Sequence, residues 1–596
     1  MFRTRTVRQL AAAWMLLVVL GLIISFGIMP LTDWLPEATS STGKQWLKTY
    51  NGASHLVFVG LLILGCFSLL RLAHINAIDV TSKEHPTPVH RLTKGIQKHP
   101  LVTGLFAFYA TLMVRQASWF YKEIIGWYQD VLQNHLLDNF SLRWSFVKET
   151  MYRNDFRFFP LSHQDIHVLS WLTPYASIWM LVNAIELFTI VILGAKTAQL
   201  LVQKKPRKET YLIFSILFLF DTATGYTFFQ FIYSERIVVL LLSIFAYYFT
   251  RSFLFSHKSD QYLALTTALV GLFFKDTAFL LFTVPAFSVL TAGNAGLLNN
   301  RPKLVNNNKQ AWIDAYRLEL SLISLLLVLS VSYLYLSYLP SLHAGIHAYD
   351  SHLRWSRFEA DWRFIALAGM TLTRAGLIIK RRANFSALDA LNAGAIAYAL
   401  GLFAMVGFRS TNYMALPVQY IATLNLVVLL SWICAWMEEK GRSASFMSVG
   451  AVIASAGLIG IEHLGRKDFQ HRISKMHSNQ DSWVKTLDQM DLISQDALTE
   501  GKEINIIYSK SWLRNRGHIE ALKYNRLIYY NLDTGTYTIM DGTDKGSSYT
   551  PKPGDYLLNI DTGKRLEEFG FDMAPYKKIW DYGKHKNNGK IYEKVN

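Results

Sequence analysis

The sequence predicts a polytopic α-helical membrane protein of about thirteen transmembrane helices with a small α/β C-terminal domain. Three observations carry that expectation. Half of the 596 residues are hydrophobic, only 17% are charged and mean hydropathy is positive, whereas soluble domains carry roughly a quarter charged residues. Apolar runs of spanning length recur through the first 461 positions. After 462 the runs stop and short strand-like segments take over. A disordered chain is excluded, and an ordinary soluble enzyme is disfavoured. Cys66 and Cys434 both sit inside apolar runs, far apart in sequence, so neither a disulfide framework nor a cysteine-based metal site is expected.

The runs fall at 10–30, 53–73, 100–119, 174–202, 210–229, 236–251, 261–274, 277–291, 318–339, 360–379, 388–408, 417–437 and 446–461. Lys275-Asp276 separates two short runs, as a tight hairpin or a kink in one segment. With the N-terminus inside, Lys and Arg on the inside segments outnumber those on the outside loops by about two to one, which selects that orientation. The net charge of +17 therefore reads as membrane topology rather than nucleic-acid binding. The first run follows a basic stretch but is too long for a signal-peptide core, and it reads as a retained anchor. Three units follow: 1–99, an N-terminal extra transmembrane hairpin; 100–461, a transmembrane module with an aromatic-rich outside loop at 120–173; and 462–596, a soluble domain outside the membrane, periplasmic or its equivalent. In the last, Ile504-Asn-Ile-Ile-Tyr508, Arg526-Leu-Ile-Tyr-Tyr530 and Asp555-Tyr-Leu-Leu-Asn-Ile560 read as strands between turn residues.

Charge is expensive at membrane depth, so charged groups gathered at span ends mark the place for chemistry. On the outside face these are Asp155, Arg157, His163, Asp165 and His167 in the long loop, Glu235-Arg236, Lys275-Asp276, and Arg409 with Tyr413 before Pro417. Carboxylates can deprotonate a hydroxyl, and cations can hold a phosphate. Each has a plainer reading. Asp155 can cap a turn, Arg409 can snorkel to the interface, the hairpin charges can be solvated, and Asn183 and Glu186 inside span 174–202 can be hydrogen-bonded between helices. His343, His347 and His352 suit a wet interfacial loop better than a metal site.

The order of features is more specific. An outside loop with carboxylates is followed by Tyr233-Ser-Glu235-Arg236, by a hairpin running Phe274-Lys275-Asp276-Thr-Ala-Phe-Leu-Leu-Phe-Thr-Val-Pro285, and by Asn412-Tyr413-Met-Ala-Leu-Pro417 opening a late span. In layout, residues 100–461 resemble the GT-C superfamily of integral membrane glycosyltransferases, in particular the protein mannosyltransferase and aminoarabinose transferase branches. In that family the carboxylate loop follows the first span. Here the loop after 10–30 holds only Asp33 and Glu37, so matching the Lys275 hairpin leaves 1–99 as an addition; no Asp-x-Asp or Asp-Glu pair directly follows span 100–119.

The resemblance implies a polyprenyl-phosphate-linked sugar donor, a glycan, lipid or protein acceptor, and transfer at the outer face of the cytoplasmic (inner) membrane. Given such a donor, the chemistry of inverting transfer makes Asp155, in the long outside loop near the start of span 174–202 and next to Arg157, the base, with Asp165 second. Lys275 and Arg409 become phosphate ligands supported by Arg157 and Arg236. Glu235 orients the acceptor or helps hold a divalent cation, the metal requirement being left open, and His163 and Tyr413 are further candidates. Asp155, Lys275 and Arg409 are expected to face one cavity. Two rivals remain. An O-antigen ligase or polymerase would use His343–Arg357, and a lipid or glycan transporter would spread charge through the membrane middle.

Overall fold

The computed structural model describes residues 35–78, 95–116, 155–173, 175–202, 207–230, 232–298, 309–344, 357–464, 469–509, 522–560, 570–583 and 589–595, with isolated positions between them. Most of the first run, most of the 120–173 loop, and His347 and His352 lie outside the described residues. Membrane helices appear where the apolar runs are: α1 Ser41–Ile78, α2 Pro100–Arg115, α3 Gln164–Leu172 (a short amphipathic piece), α4 Ala176–Val202, α5 Glu209–Leu219, α6 Thr222–Phe228, α7 Glu235–Phe255, α8 Lys258–Gly271, α9 Phe279–Asn294, α10 Arg317–Tyr333, α11 Trp362–Ile379, α12 Ala387–Met405, α13 Leu416–Glu439 and α14 Ala444–Glu462. The protein is a polytopic helical membrane protein.

Among the described residues eight helices are long and apolar enough to cross a membrane, nine if α5 and α6 form one broken span. The expected thirteen is not reached, for identifiable reasons. Apart from Val19, Leu20 and Ile23, the run at 10–30 is not described. Runs 100–119 and 277–291 give helices of 16 residues each, α2 and α9, shorter than the ~20 residues that cross a bilayer upright. Run 261–274 gives α8, 14 residues opening on Lys258, Ser259 and Asp260. Run 210–229 bends by 73° between α5 and α6. Asp221 causes the bend locally: its side chain accepts the Thr224 N–H at 3.1 Å and starts a new helix. The chain turns through 272–278 between α8 and α9; α8 packs chiefly against α1 and α7, α9 chiefly against α12 and α10.

Several polar side chains inside the bundle are paired, as a low-dielectric interior favours. Asn392 and Asn425 exchange amide hydrogen bonds at 2.9 and 2.6 Å. Arg374 grips Asp389 at 2.5 and 2.7 Å while Asp389 closes a capping box with Ser386. Arg363, fully buried, donates to Glu462 at 2.8 and 3.0 Å and to Thr423 at 3.3 Å, with Asp221 at 3.6 Å. One arginine so joins α11, α13, the α5–α6 break and the end of α14. The outward faces of α1 and α14 are apolar and exposed, for example Leu56, Ile63, Phe67, Ile453 and Ile461, which suits lipid.

After α14 comes a long helix, α15 (Phe469–Thr499), and then a mixed sheet. Two-residue strands β1 (Phe358–Glu359) and β2 (Phe408–Arg409) pair in parallel within the membrane module. The C-terminal strands are β3 Asn505–Ser509, β4 Arg526–Asn531, β5 Thr536–Ile539, β6 Tyr556–Asn559, β7 Tyr576–Asp581 and β8 Lys590–Lys594, in the order β5-β4-β3-β6-β8-β7. All five residues of β3 are buried, and it is the parallel centre of the sheet, as both-face coverage demands. Ile506 and Tyr508 belong to the core that includes Trp483 and Leu487 of α15; Ile507 faces a second core with Ile528, Leu557 and Phe571. The α15 helix also docks on the membrane bundle. Phe469 lies over Gly225 of α6, where a Cβ would stand 2.5 Å from its ring.

Candidate functional site

Segment 155–163 crosses one end of the bundle, and its backbone is unusual. Phe156 (φ 62°) and His163 (φ 65°) are left-handed non-glycine residues, a conformation that persists only where its surroundings impose it. The surroundings are aromatic. Phe158 is buried edge-on against Phe273 and Tyr333, each at 5.9 Å, and Phe156 meets Tyr338 at 5.9 Å. Hydrogen bonds fix the rest. Phe156 N–H donates to Ser341 Oγ at 2.9 Å, Ser337 Oγ donates to the Arg157 carbonyl at 2.9 Å, and Leu161 N–H reaches the Phe273 carbonyl at 3.1 Å. Ser337 lies in a π-helical stretch, Leu334–Tyr338, inserted between α10 and Leu339–Ala344; such widened turns recur at functional sites.

Around this loop the charges interlock. Asp276 accepts the Arg157 Nε–H and the Phe158 N–H, the latter at 3.0 Å. Arg236, buried at the start of α7, is held by Asp165 and by Glu186 at 2.6 Å. Lys275 pairs with Glu235 at 2.6 Å, and its ammonium lies 6.0 Å from the Tyr413 ring. His163 stands within reach of Asp165, Glu235, Arg236 and Lys275. Burial pushes its imidazole down to about 4, opposed by the two carboxylates and assisted by the two cations. The second oxygen of Asp165 is buried and accepts no hydrogen bond from the described residues. Tyr413 stacks on Tyr233 at 3.9 Å and on Tyr226 at 5.7 Å, the three rings within 26° of parallel.

Most of the residues expected to act together are thus gathered from distant positions: Asp165, His163, Arg157, Glu235, Arg236, Lys275 and Tyr413. Asp155 is buried at the head of the loop, where its Oδ1 accepts the Arg157 N–H at 3.2 Å, the turn contact of the plainer reading. Arg409 stands at the rim. Nearly half exposed, it is paired with an equally exposed Glu359 at 3.3 Å across the β1–β2 ladder. The described contacts do not bring Arg409 against Lys275. Glu186 proves to be a partner of Arg236, and Asn183 is buried in α4. His343 stacks edge-on against Trp46 at 5.4 Å. Among the described residues no group of three or more His, Cys, Asp and Glu side chains could hold a metal ion.

One residue carries no signal in the sequence. Arg472 of α15 donates to Thr411 Oγ1 at 3.1 Å and lies 5.3 Å over the Tyr226 ring. Nothing in a basic, amphipathic stretch after the last span distinguishes it from its neighbours Arg466, Lys467 and Lys475.

Neither protein-family models nor curated proteins give a significant match to this chain.

Proposed function

We propose that this chain is an integral membrane glycosyltransferase of the GT-C type, moving a sugar from a polyprenyl-phosphate donor to an acceptor at the outer face of the cytoplasmic membrane. The observation that carries the reading is the convergence at one end of the bundle: a strained loop (155–163), the start of α7 (Glu235-Arg236), the α8–α9 turn (Lys275-Asp276) and Tyr413, which are the elements the resemblance singles out. A transporter reading is less well served, because these charges collect at one end rather than through the middle.

Transfer to a hydroxyl needs a carboxylate to take its proton and cations to stabilise the charge growing on the departing phosphate. In this reading Asp155, at the head of the loop, is the base, with Asp165 and its unengaged oxygen as the alternative. Lys275 supplies positive charge to the phosphate, and Glu235 keeps that ammonium in place until the donor arrives. Asp276 and Arg157 are positioning residues that hold the loop over the site. The exposed faces of the spans offer the lipid tail an apolar path. Purified protein in nanodiscs, incubated with a polyprenyl-phosphate sugar, is expected to release polyprenyl phosphate. No release with any of a panel of hexosyl and pentosyl donors, from protein shown to be folded, overturns the reading. Mass spectrometry of envelope glycans from a strain lacking the gene then identifies sugar and acceptor.

A further inference from the structure

Most cations at this end of the bundle are matched: Arg157 by Asp276, Arg236 by Asp165 and Glu186, Lys275 by Glu235, Arg363 by Glu462. The rim around Arg409 is different. Among the described residues Arg472 makes no ion pair, and its buried Nε has no hydrogen-bond partner. It contacts the Thr411 hydroxyl and the face of Tyr226. Arg409 lies near enough for its charge to act on Arg472, and its own partner is the exposed Glu359. Burial, with Arg409 adding to it, pulls the Arg472 guanidinium below its ordinary range; Tyr226, Asp221 and Glu359 oppose this. Asp221 already serves Arg363, so two guanidiniums effectively share one solvent-washed carboxylate. A buried donor without an acceptor and two neighbouring like charges are both relieved by an anion with several acceptor oxygens.

We propose that Arg472 and Arg409, with the Thr411 hydroxyl, form a phosphate-binding subsite assembled across the seam between helix α15 and the membrane bundle. The C-terminal domain then supplies a ligand to the membrane site instead of merely covering it. The Tyr226–Tyr413–Tyr233 cluster links the subsite to Lys275, whose ammonium lies 6.0 Å from the Tyr413 ring. Only the identity of the phosphate's carrier, a polyprenyl chain, rests on the glycosyltransferase reading; the subsite stands on the side chains.

The test is direct binding to the full chain in neutral-lipid nanodiscs, without turnover. The probes are polyprenyl phosphate, polyprenol of the same length, inorganic phosphate and phosphatidylglycerol. Polyprenyl phosphate is expected to bind, with polyprenol at least about tenfold weaker. R472Q should weaken polyprenyl phosphate roughly 10- to 100-fold and leave polyprenol unchanged, as loss of charge-assisted hydrogen bonds implies. R409Q, on the exposed rim where folding is not at stake, should weaken it in the same direction. If phosphatidylglycerol or inorganic phosphate binds as well as polyprenyl phosphate, with the same arginine dependence, the subsite holds and the polyprenyl carrier falls. Unchanged polyprenyl-phosphate affinity in R409Q and in folded R472Q overturns the subsite, whatever the protein's activity.

Discussion

His163 is held left-handed, half-buried and among four charges, and its protonation is correspondingly costly. Its imidazole titrates near 4 in the fold, against an ordinary 6.5. An unfolded chain therefore takes up a proton that the folded chain refuses between those values. The stabilisation is fully present above about pH 6.5 and is lost as pH falls toward 4, at most about 3 kcal/mol. His163→Asn, which tolerates the same backbone region, should flatten the decline of melting temperature across that window; a parallel decline in both proteins contradicts the argument. The carboxylates are separated by activity. Asp155→Asn keeps size and the turn contact to Arg157 N but cannot accept a proton, so transfer should fall on the order of 10²–10⁴-fold with folding intact. A turn-capping Asp predicts near-wild-type activity instead, with at most about 1 kcal/mol of stability lost. If Asp155→Asn is active while Asp165→Asn or Glu235→Gln is dead, the base moves but the enzyme class stands. At this scale the sequence pointed to charges that the fold gathers at one end of the bundle and was silent about who holds whom. Asp165 and Glu186 converge on Arg236 from 71 and 50 residues away, a pairing that no local spacing encodes.

The helices themselves were legible because apolar runs of about 20 residues leave few alternatives. Their interruptions were not. The bend at Asp221 is written in Phe220-Asp221-Thr222-Ala-Thr224, a capping sequence inside an otherwise continuous apolar run, and the apolar run dominates any hydropathy reading. The π-helical stretch at 334–338 has no sequence mark of its own; Ser337 and Tyr338 in it contact the 155–163 loop. The docking of α15 rests on Gly225, small enough to admit the Phe469 ring, which also packs against Tyr109, Phe220 and Phe229 at 5.8–6.1 Å. Gly225→Ala should displace that ring at a cost of about 1–3 kcal/mol. It should also raise protease sensitivity at the junction near 465 in the folded, membrane-embedded protein. Unaltered cleavage and melting would mean that α15 is held elsewhere, along its contact with the sheet.

At the scale of the whole molecule, the charge asymmetry of the loops is the ground for the proposed orientation, with the N-terminus inside and residues 462–596 outside. A reporter active only outside the membrane should be active when fused at Asn596 and silent within the 292–317 loop. The reverse pattern removes the outer-face chemistry altogether. Three of the six C-terminal strands, β3, β4 and β6, were readable as strand-like segments between turn residues, whereas β5, β7 and β8 were not, and neither was the attachment to the bundle through Phe469 and Arg472, because contact between distant surfaces leaves no periodic trace. The buried Arg363 adds a constraint of a different kind, on biogenesis. Its nearest acidic neighbour upstream, Asp221, is synthesised well before it, but the carboxylate that binds it closely, Glu462, is the last residue of α14, 99 positions later. Until the ribosome has delivered that final span, the bundle carries an arginine whose charge is incompletely matched. Assembly of the membrane part is therefore sealed by its last helix, and a chain released early would expose to quality control a defect that the finished protein conceals.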